Sequence, residues 1–194
     1  MKKAEARQLF LQKRQEESLA SIEEKSRAVA NVFFKNFPLD NHIRTVHTFL
    51  PILHKKELDT SFLINKLRKE HKVTIVVPKT NFKDGSLQCL LFDENTILKE
   101  NKWGIPEPEG GQIVAEGNVD LVLIPLLAYD LKGNRVGYGK GFYDRLLCTC
   151  RKDILKVGLS FYEPVDAIED TNEFDIPLNF CVTDKKVYEF GSPK

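Results

Sequence analysis

Short apolar runs alternate with amphipathic stretches along this chain of 194 residues. Ile22, Val29 and Phe33 recur at the spacing of one helix face, which predicts an amphipathic helix. Helices are predicted at 2–17, 21–37, 62–71 and 142–148. Strand-like apolar runs lie at 46–50, 73–77, 87–92, 121–125, 155–161 and 180–183. Because strands alternate with helices, we predict an α/β fold with a mostly parallel sheet and helices on both faces.

The boundaries of the second helix are marked by short signals. Ser21 and Glu24 form a capping-box pattern, which predicts that this helix begins at Ser21. Pro38 is expected to end it. No internal repeat or linker divides the chain, and its length suits one domain with a sizeable core. We therefore predict a single domain over residues 1–194.

The segment at 133–145 reads Gly-Asn-Arg-Val-Gly-Tyr-Gly-Lys-Gly-Phe-Tyr-Asp-Arg and lies between an apolar run and a helix-like stretch. Glycines permit positive backbone dihedral angles and a close approach of backbone amides to a ligand. A loop that opens a helix also directs free N–H groups and the positive end of the helix dipole at its ligand. With Arg135, Lys140 and Arg145 added, the segment is typical of phosphate binding. Asp144 beside these cations suits a metal ion that accompanies the phosphates.

This segment differs from both common phosphate motifs. Lys140 is followed by Gly141 rather than by serine or threonine, which excludes a Walker A loop. Phe142 lies three residues after Gly139, where the dinucleotide fingerprint needs glycine. A plain glycine-rich connector between a strand and a helix remains the alternative. In a parallel sheet, ligands bind beyond the carboxyl ends of the strands, where this segment is expected to lie.

The amino-acid composition limits the classes of partner that we expect this protein to bind. A net charge of +1 gives no electrostatic case for nucleic acid or an acidic membrane surface. No apolar run approaches the length of a membrane span. The N-terminal residues are charged, unlike a signal peptide, and four scattered cysteines are typical of free thiols in a reducing cytosol. We expect a cytoplasmic monomer that takes a small-molecule substrate and binds neither nucleic acid nor a membrane.

Residues 124–145 closely resemble the signature of the 5-formyltetrahydrofolate cyclo-ligases, also called methenyltetrahydrofolate synthetases. Four more segments resemble that family, in the expected order: Lys3-x-x-x-Arg7, Glu57-Leu58-Asp59-Thr60, Trp103-Gly104-Ile105-Pro106-Glu107-Pro108 and Phe174-Asp175-Ile176-Pro177. The 124–145 block is specific, whereas the Lys-x-x-x-Arg spacing alone carries no information. The chain departs from the family where Phe174 and Asn179 stand for a common histidine and aspartate, and where Phe142 stands for a frequent tyrosine.

The resemblance implies a Rossmann-like scaffold related to those of sugar-phosphate isomerases and CoA transferases. It also implies the ATP-dependent conversion of 5-formyltetrahydrofolate, possibly polyglutamylated, to 5,10-methenyltetrahydrofolate with release of ADP and phosphate. Phosphorylation of the formyl oxygen would make it a leaving group, and nitrogen 10 of the folate would then close the ring. Phosphoryl transfer asks mainly for positioning and charge neutralisation, which glycine amides, cations and Mg²⁺ supply.

Residues that match the family's motifs carry expected roles. The expected ATP-binding residues are Lys3, Arg7, Arg135, Gly137, Tyr138, Gly139, Lys140, Gly141, Phe142, Tyr143 and Asp144. The expected folate-binding residues are Ile52, Glu57, Trp103, Tyr138 and Phe142. The expected catalytic residues are Lys140, Arg135 and Tyr143, and the expected Mg²⁺ ligands are Asp144 and Asp175. Glu57 would accept hydrogen bonds from the pterin ring, and aromatic stacking on a flat substrate is worth about 0.5–1.5 kcal/mol beyond burial.

Two other functions fit these residues less completely. An enzyme on a related α/β scaffold could bind a phosphorylated metabolite without ATP turnover, but no obvious glutamate or cysteine nucleophile lies beside the loop. A non-catalytic nucleotide- or folate-binding module is the second alternative. A binder of folate alone would not need Asp144 beside Lys140 and Arg135, because it needs no metal site.

Some residues also have structural interpretations. Trp103 could be a core residue under its loop, and Tyr143 could pack beneath its helix. Residues 59–60 precede an apolar helix, so helix capping is their expected role. Glu107 and Glu109 lie in a loop rich in proline and glycine and are expected to be surface charges.

Overall fold

The computed structural model describes residues 1–37, 39 and 42–191, so Pro38 lies outside the described residues. The helices are α1 (Lys3–Glu16), α2 (Leu19–Asn36), α3 (Ser61–Lys66), which a π-helical turn (Leu67–His71) continues, and α4 (Phe142–Thr149). The strands are β1 (Thr45–His47), β2 (Thr74–Asn81), β3 (Ser86–Leu91), β4 (Leu98–Glu100), β5 (Pro106–Pro108), β6 (Leu121–Pro125), β7 (Ala128–Tyr129), β8 (Arg135–Val136), β9 (Leu155–Leu159), β10 (Phe180–Val182) and β11 (Val187–Glu189). Among the described residues, no helix is long and apolar enough to cross a membrane.

Within the described residues, seven strands form the main sheet, in the order β11-β10-β9-β6-β1-β2-β3. The five inner strands run parallel, and the edge strands β3 and β11 are antiparallel to their neighbours. The pairs β4–β5 and β7–β8 form two small separate sheets. Mostly parallel strands in one α/β domain confirm the predicted fold class.

The middle strand β6 shows why the sheet is covered on both faces. Leu121 and Leu123 belong to the apolar cluster that α2 and α3 cover. Val122 and Ile124 belong to the cluster on the other side, which includes residues of α4. All four side chains are fully buried. A strand buried on both faces has a continuous apolar run rather than an alternating one, which is the pattern seen at 121–125.

Helix α1 lies apart from these two layers. Its Ala6 and Phe10 pack against Leu127, Ala128 and Val136, which follow the carboxyl end of β6. This third cluster holds the charged N-terminal helix against the loops at the carboxyl edge of the parallel strands. Charged residues of α1 are thereby brought to the edge where ligands bind in open parallel sheets.

One predicted helix boundary is wrong, and one predicted helix changes type along its length. Ser18, not Ser21, caps α2, because the extended Ser18 places its Oγ 3.1 Å from the backbone N–H of Ser21, from which it accepts a hydrogen bond. The N-cap therefore lies three residues earlier than predicted, the helix begins at Leu19, and Ser21 lies in its first turn. The helix predicted at 62–71 is present over 61–71; it is α-helical to Lys66 and continues to His71 as a wider π-helical turn.

Strand β2 continues through Pro78, where the sequence predicted an end. β1 pairs with β2 only as far as Val76, so Pro78 has a strand neighbour on one side alone, at Cys89 of β3. A proline is tolerated in a strand where its missing N–H loses no ladder hydrogen bond. The extension carries Thr80 beyond the end of β1.

Gly133 does not belong to a phosphate loop; it makes the turn between β7 and β8. Its φ is +81°, and a Cβ atom there would lie 2.8 Å from Cγ of Phe190 and 3.0 Å from the carbonyl oxygen of Leu178.

We expect Gly133→Ala to lower the free energy of unfolding by about 1–3 kcal/mol through steric overlap and backbone strain. Urea denaturation measures this. Gly117→Ala, with no heavy atom within 4 Å of its added Cβ, is the control, and equal stability of both variants would contradict the prediction.

His47, at the carboxyl end of β1, predicts a pH dependence of stability. Its side chain is fully buried, and neither ring nitrogen has a hydrogen-bond partner among the described residues. Burial lowers the pKa of His47 to about 3 from an ordinary value of 6.5. The unfolded chain therefore binds the proton first, so stability is lost as the pH falls from about 6.5 toward about 3.

The expected loss between pH 8 and pH 5 from this residue is about 2 kcal/mol. Urea denaturation of the wild type and of His47→Phe at both pH values checks it. The difference between the two proteins should change with pH by that amount. A difference that stays constant would show that His47 does not titrate in this way.

Candidate active site

A cavity of about 1090 Å³ opens at the carboxyl edge of the parallel strands. Single sites for drug-sized ligands occupy about 300–1,000 Å³, so this volume suits more than one small molecule. With the exception of Trp103, the predicted site residues line it: Lys3, Arg7, Ile52, Glu57, Arg135, Gly137, Tyr138, Gly139, Lys140, Gly141, Phe142, Tyr143, Asp144 and Asp175. The fold thus gathers four distant sequence segments around one space.

The loop between β8 and α4 forms the glycine-rich wall of the cavity. Gly139 and Gly141 have φ values of +87° and +67°, which glycine adopts without strain. Gly141 is the N-cap of α4. The first N–H groups of a helix have no intrahelical acceptor, so this helix start offers donors and a positive dipole end beside the cavity. The arrangement suits an anion such as a phosphate group.

Cations from two elements flank this loop. Arg7 of α1 donates a hydrogen bond from Nε to the carbonyl oxygen of Gly137 at 3.0 Å. A Cβ atom on Gly139 would lie 3.1 Å from Cζ of Arg7, so the glycine allows the guanidinium to lie against the loop. Lys140 is exposed, and its Nζ makes no hydrogen bond or ion pair with the part of the chain that the structure describes. Its charge is therefore available to a ligand.

Arg145 has a different position. Its guanidinium donates two hydrogen bonds to the carbonyl oxygen of Gly85 and one to the carbonyl oxygen of Lys140. These bonds tie the start of α4 to the β2–β3 turn. Arg145 also lines the cavity, but its hydrogen-bonding capacity is largely used within the protein.

Two carboxylates meet at the opposite side of the loop, each paired with a cation. Asp144 accepts a hydrogen bond from Nη2 of Arg135 at 2.6 Å, and its same oxygen lies 3.2 Å from the N–H of Ile176. Asp175 accepts from Nζ of Lys3 at 2.5 Å. The bond to Ile176, the neighbour of Asp175, brings the two acids into one corner of the cavity.

The charges of this corner are partly withdrawn from solvent. Burial lowers the pKa of the Arg135 guanidinium, and the neighbouring Asp144 carboxylate opposes that shift. Nη1 of Arg135 is buried and has no hydrogen-bond partner within the described ranges. A buried donor of this kind is costly to leave unsatisfied, so a ligand oxygen or water is the expected partner.

Glu57 and Tyr138 form a hydrogen-bonded pair in the cavity lining. Glu57 is only 6% exposed, and its two oxygens accept hydrogen bonds from the hydroxyl of Tyr138 at 2.6 Å and from the N–H of Ile52 at 2.8 Å. Burial raises the pKa of the Tyr138 hydroxyl, and the Glu57 carboxylate raises it further. The hydroxyl therefore stays protonated and donates. Nζ of Lys55 lies 4.4 Å from the centre of the Tyr138 ring.

The structure alters the expected roles of two aromatic residues. Tyr143 lines the cavity, but its hydroxyl is buried without a hydrogen-bond partner among the described residues, and its ring lies against that of His47 at 5.9 Å between centroids. Burial raises its pKa well above the ordinary value. Trp103 lies outside the cavity lining and is 40% exposed, so it is not a core residue either. Its ring contacts Phe82 and Phe142 at centroid distances of 4.7 and 6.0 Å.

Glu107 was expected at the surface, and that expectation is wrong. Its side chain lines the cavity and is 6% exposed, whereas Glu109 is exposed as predicted. One oxygen of Glu107 accepts hydrogen bonds from both the N–H and the hydroxyl of Thr80, at 3.0 and 2.5 Å. The extension of β2 past Pro78 creates this contact. A Pro-Glu-Pro sequence is typical of a turn, so the sequence does not indicate that Glu107 is buried against Thr80.

Comparison with known proteins agrees with this geometry. The sequence profile of the 5-formyltetrahydrofolate cyclo-ligase family matches residues 1–184. The 5-formyltetrahydrofolate cyclo-ligase of Haemophilus influenzae is 33% identical over 126 residues, which cover 63% of this chain and 67% of the relative. The protein of that name from Escherichia coli K12 is 32% identical over 137 residues, which cover 69% of this chain and 75% of the relative.

Solved structures agree as well. The NMR structure of Aquifex aeolicus 5,10-methenyltetrahydrofolate synthetase superposes with a TM-score of 0.81 at 30% identity, covering 100% of this chain and 95% of that one. A 5,10-methenyltetrahydrofolate synthetase from Mycoplasma pneumoniae has the same fold, with a TM-score of 0.75 at 22% identity over 95% of this chain and 100% of that one. The chain therefore belongs to the 5-formyltetrahydrofolate cyclo-ligase family.

Proposed function

We propose that this protein converts 5-formyltetrahydrofolate to 5,10-methenyltetrahydrofolate and couples the ring closure to ATP hydrolysis. The observation that supports this most directly is that one cavity holds both kinds of binding group. A glycine-rich helix start with Arg7 and Lys140 lines it, and so does the hydrogen-bonded Glu57–Tyr138 pair. A phosphate chain and a flat heterocyclic substrate could therefore meet in the same enclosed space.

The chemistry explains why such a site needs charge and order rather than a nucleophilic side chain. A formyl group on nitrogen is a poor electrophile, because the nitrogen lone pair delocalises into the carbonyl. ATP supplies the phosphoryl group that turns the formyl oxygen into a leaving group. Nitrogen 10 then bonds to the formyl carbon, loses its proton, and the C–O bond breaks with release of phosphate. The protein's task is to hold the reacting groups together and to stabilise charge.

Residues of the glycine-rich side are assigned to the nucleotide. The amides around Gly137, Gly139 and Gly141 and the start of α4 would bind phosphate oxygens. Lys3, Arg7, Arg135 and Lys140 would neutralise their charge, and Lys140 and Arg135 would stabilise the charge that develops during transfer. The ring of Tyr143 shapes the wall, since its hydroxyl is buried.

The carboxylate corner fits Mg²⁺. Hydrogen bonds occupy one oxygen each of Asp144 and Asp175, and the second oxygen of each has no partner among the described residues. No group of three or more histidine, cysteine or acidic side chains suited to a metal occurs in the described ranges. Mg²⁺ is typically held by one or two carboxylates together with phosphates and water, so this pair is sufficient. The ion would neutralise phosphate charge there.

Glu57, Ile52, Tyr138 and Phe142 are assigned to the folate. Glu57 would accept N–H hydrogen bonds of the pterin, and the rings of Tyr138 and Phe142 would stack on flat parts of the substrate. Trp103 contacts Phe142 from outside and would act through that ring. We further propose that the protein acts as a cytoplasmic monomer and that polyglutamylated folates are substrates too.

The test is a mixing experiment with purified protein, Mg²⁺, ATP and 5-formyltetrahydrofolate, followed by near-ultraviolet absorbance of the methenyl product. We expect the band to grow only when ATP and folate are both present, with one ADP formed per product. No band, with ATP still raising the thermal midpoint, would leave a nucleotide-binding protein with another substrate. No band and no thermal shift would mean that the glycine-rich loop is a connector.

A further inference from the structure

Arg14 is a buried cation that the proposed reaction does not use. It lies near the end of α1 and is 6% exposed. Its Nη1 donates a hydrogen bond to the hydroxyl oxygen of Tyr138 at 3.1 Å and lies 3.9 Å from Oε1 of Glu57. Its Nη2 donates to the carbonyl oxygen of Leu126 at 2.8 Å. A guanidinium buried this deeply needs such partners, because an unpaired buried charge is very costly.

These contacts fix the direction of the Tyr138 hydroxyl. A guanidinium only donates, so the tyrosine oxygen accepts from Arg14 and its single hydrogen is left for Glu57. That hydrogen meets Oε1 of Glu57 at an oxygen–oxygen distance of 2.6 Å. With Ile52 on the other oxygen, the carboxylate is held from two sides and has a countercharge behind it. The carboxylate is thereby fixed in position in the lining of the cavity.

The same helix face also contacts other parts of the cavity lining. Lys3, Arg7 and Arg14 are spaced by four and seven residues, so they lie along one side of α1. Lys3 and Arg7 contact the carboxylate corner and the glycine-rich loop, whereas Arg14 contacts the Glu57–Tyr138 pair. Cations on one helix therefore act on chemically different parts of the site, and their effects should be separable by ligand.

We infer that Arg14 is a positioning residue for the folate half of the site: it orients Tyr138 and Glu57 without touching either ligand. This inference rests on the proposed function. Loss of Arg14 removes a charged donor and leaves the Glu57 carboxylate buried without its countercharge, so the acceptor for the pterin loses both its orientation and its stabilisation. Arg7, Arg135 and Asp144 keep their own contacts, and within the glycine-rich loop only Tyr138 loses one.

The first test compares wild type with Arg14→Met, which keeps the aliphatic length and removes the charge. Calorimetric titrations measure 5-formyltetrahydrofolate and Mg²⁺–ADP separately. We expect the folate Kd to rise about 10- to 100-fold and the ADP Kd to change less than about twofold. In steady-state assays the folate KM should rise with kcat changed less than about threefold, since no reacting group has been removed.

Two further variants distinguish positioning from general support of the fold. Arg14→Lys keeps a donor and a charge and should recover part of the folate affinity. Lys13→Met removes the neighbouring charge of α1, which is exposed and lies over the ring of Phe10, and should leave the folate Kd unchanged. Equal losses for folate and ADP, or no difference between lysine and methionine at position 14, would overturn the inference.

A double-mutant cycle tests the route of action. If Arg14 works through Tyr138 and Glu57, the effect of Arg14→Met on the folate Kd should be smaller in a Tyr138→Phe background than in the wild type. Fully additive effects would overturn the inference. If Arg14→Met fails to fold, the cycle is run with Arg14→Lys. If the wild type turns over but Arg14→Met binds folate as tightly as the wild type, only the role of Arg14 is overturned. If the wild type itself shows no turnover, the proposed function is overturned.

Discussion

Asp144→Asn is expected to reduce turnover by about a thousandfold or more while the folate Kd changes less than about threefold. The amide oxygen of asparagine can still accept from Arg135 and from the N–H of Ile176, so the local structure should persist. The negative charge that would hold Mg²⁺ against the phosphates is lost. Steady-state rates at saturating substrates measure the first effect, and calorimetric titration with 5-formyltetrahydrofolate measures the second.

The effect of Mg²⁺ on ADP binding tests separately whether Asp144 is a ligand of the metal ion. The wild type should bind ADP more tightly when Mg²⁺ is present, and Asp144→Asn should lose most of that gain. Asp166→Asn, an exposed acid in the segment between β9 and β10, removes the same charge and should behave as the wild type. Turnover near the wild-type rate in Asp144→Asn would show that this carboxylate is not the metal ligand.

Lys140→Ala should raise the ATP KM by about 10- to 100-fold and lower kcat, with less than about a threefold effect on the folate Kd. Lys140 is exposed at the cavity and has no ion-pair partner in the described part of the chain, so its charge is free for a phosphate group. Because no protein contact is broken, the thermal midpoint should stay within about 1 °C of the wild type.

The matched control is Lys132→Ala, an exposed lysine in the β7–β8 turn that does not line the cavity. It changes the net charge equally and should leave both constants unaltered. If Lys140→Ala weakened ATP and folate by the same factor, a specific role on the transferred phosphate would be excluded. If both lysine variants weakened ATP alike, the effect would be one of overall charge.

The inner strands could be predicted because a strand buried on both sheet faces has a continuous apolar run in its own sequence. The apolar run at 121–125 became β6 with the predicted bounds. The small strands were not predictable in this way: β7 and β8 have two residues each, too few to display a period. The start of α2 was misplaced because Ser18 and Ser21 are both suitable caps, and only the chain's path decides between them.

The site was predictable to the extent that its chemistry is local in sequence. Glycines, cations and an acid within 133–145 indicated phosphate, and the resemblance to the cyclo-ligases added Lys3, Glu57 and Asp175. Glu107 and Arg14 could not be found, because each is buried by partners that lie far away in the chain. In the sequence, nothing distinguishes Arg14 from the other charged residues of α1, and its acceptor Tyr138 is 124 residues away.

The docking of α1 has a consequence for the folding of the chain during its synthesis on the ribosome. Lys3 and its partner Asp175 are 172 positions apart, and Arg7 and Gly137 are 130 apart. At 5–20 residues per second, α1 is complete roughly 10–30 s before the last of its partners is synthesised. Until Leu127, Ala128 and Val136 are made, its apolar stripe has nothing native to cover it. A nascent chain stalled before Leu127 should therefore leave α1 open to protease, although the sheet strands up to β6 are already made.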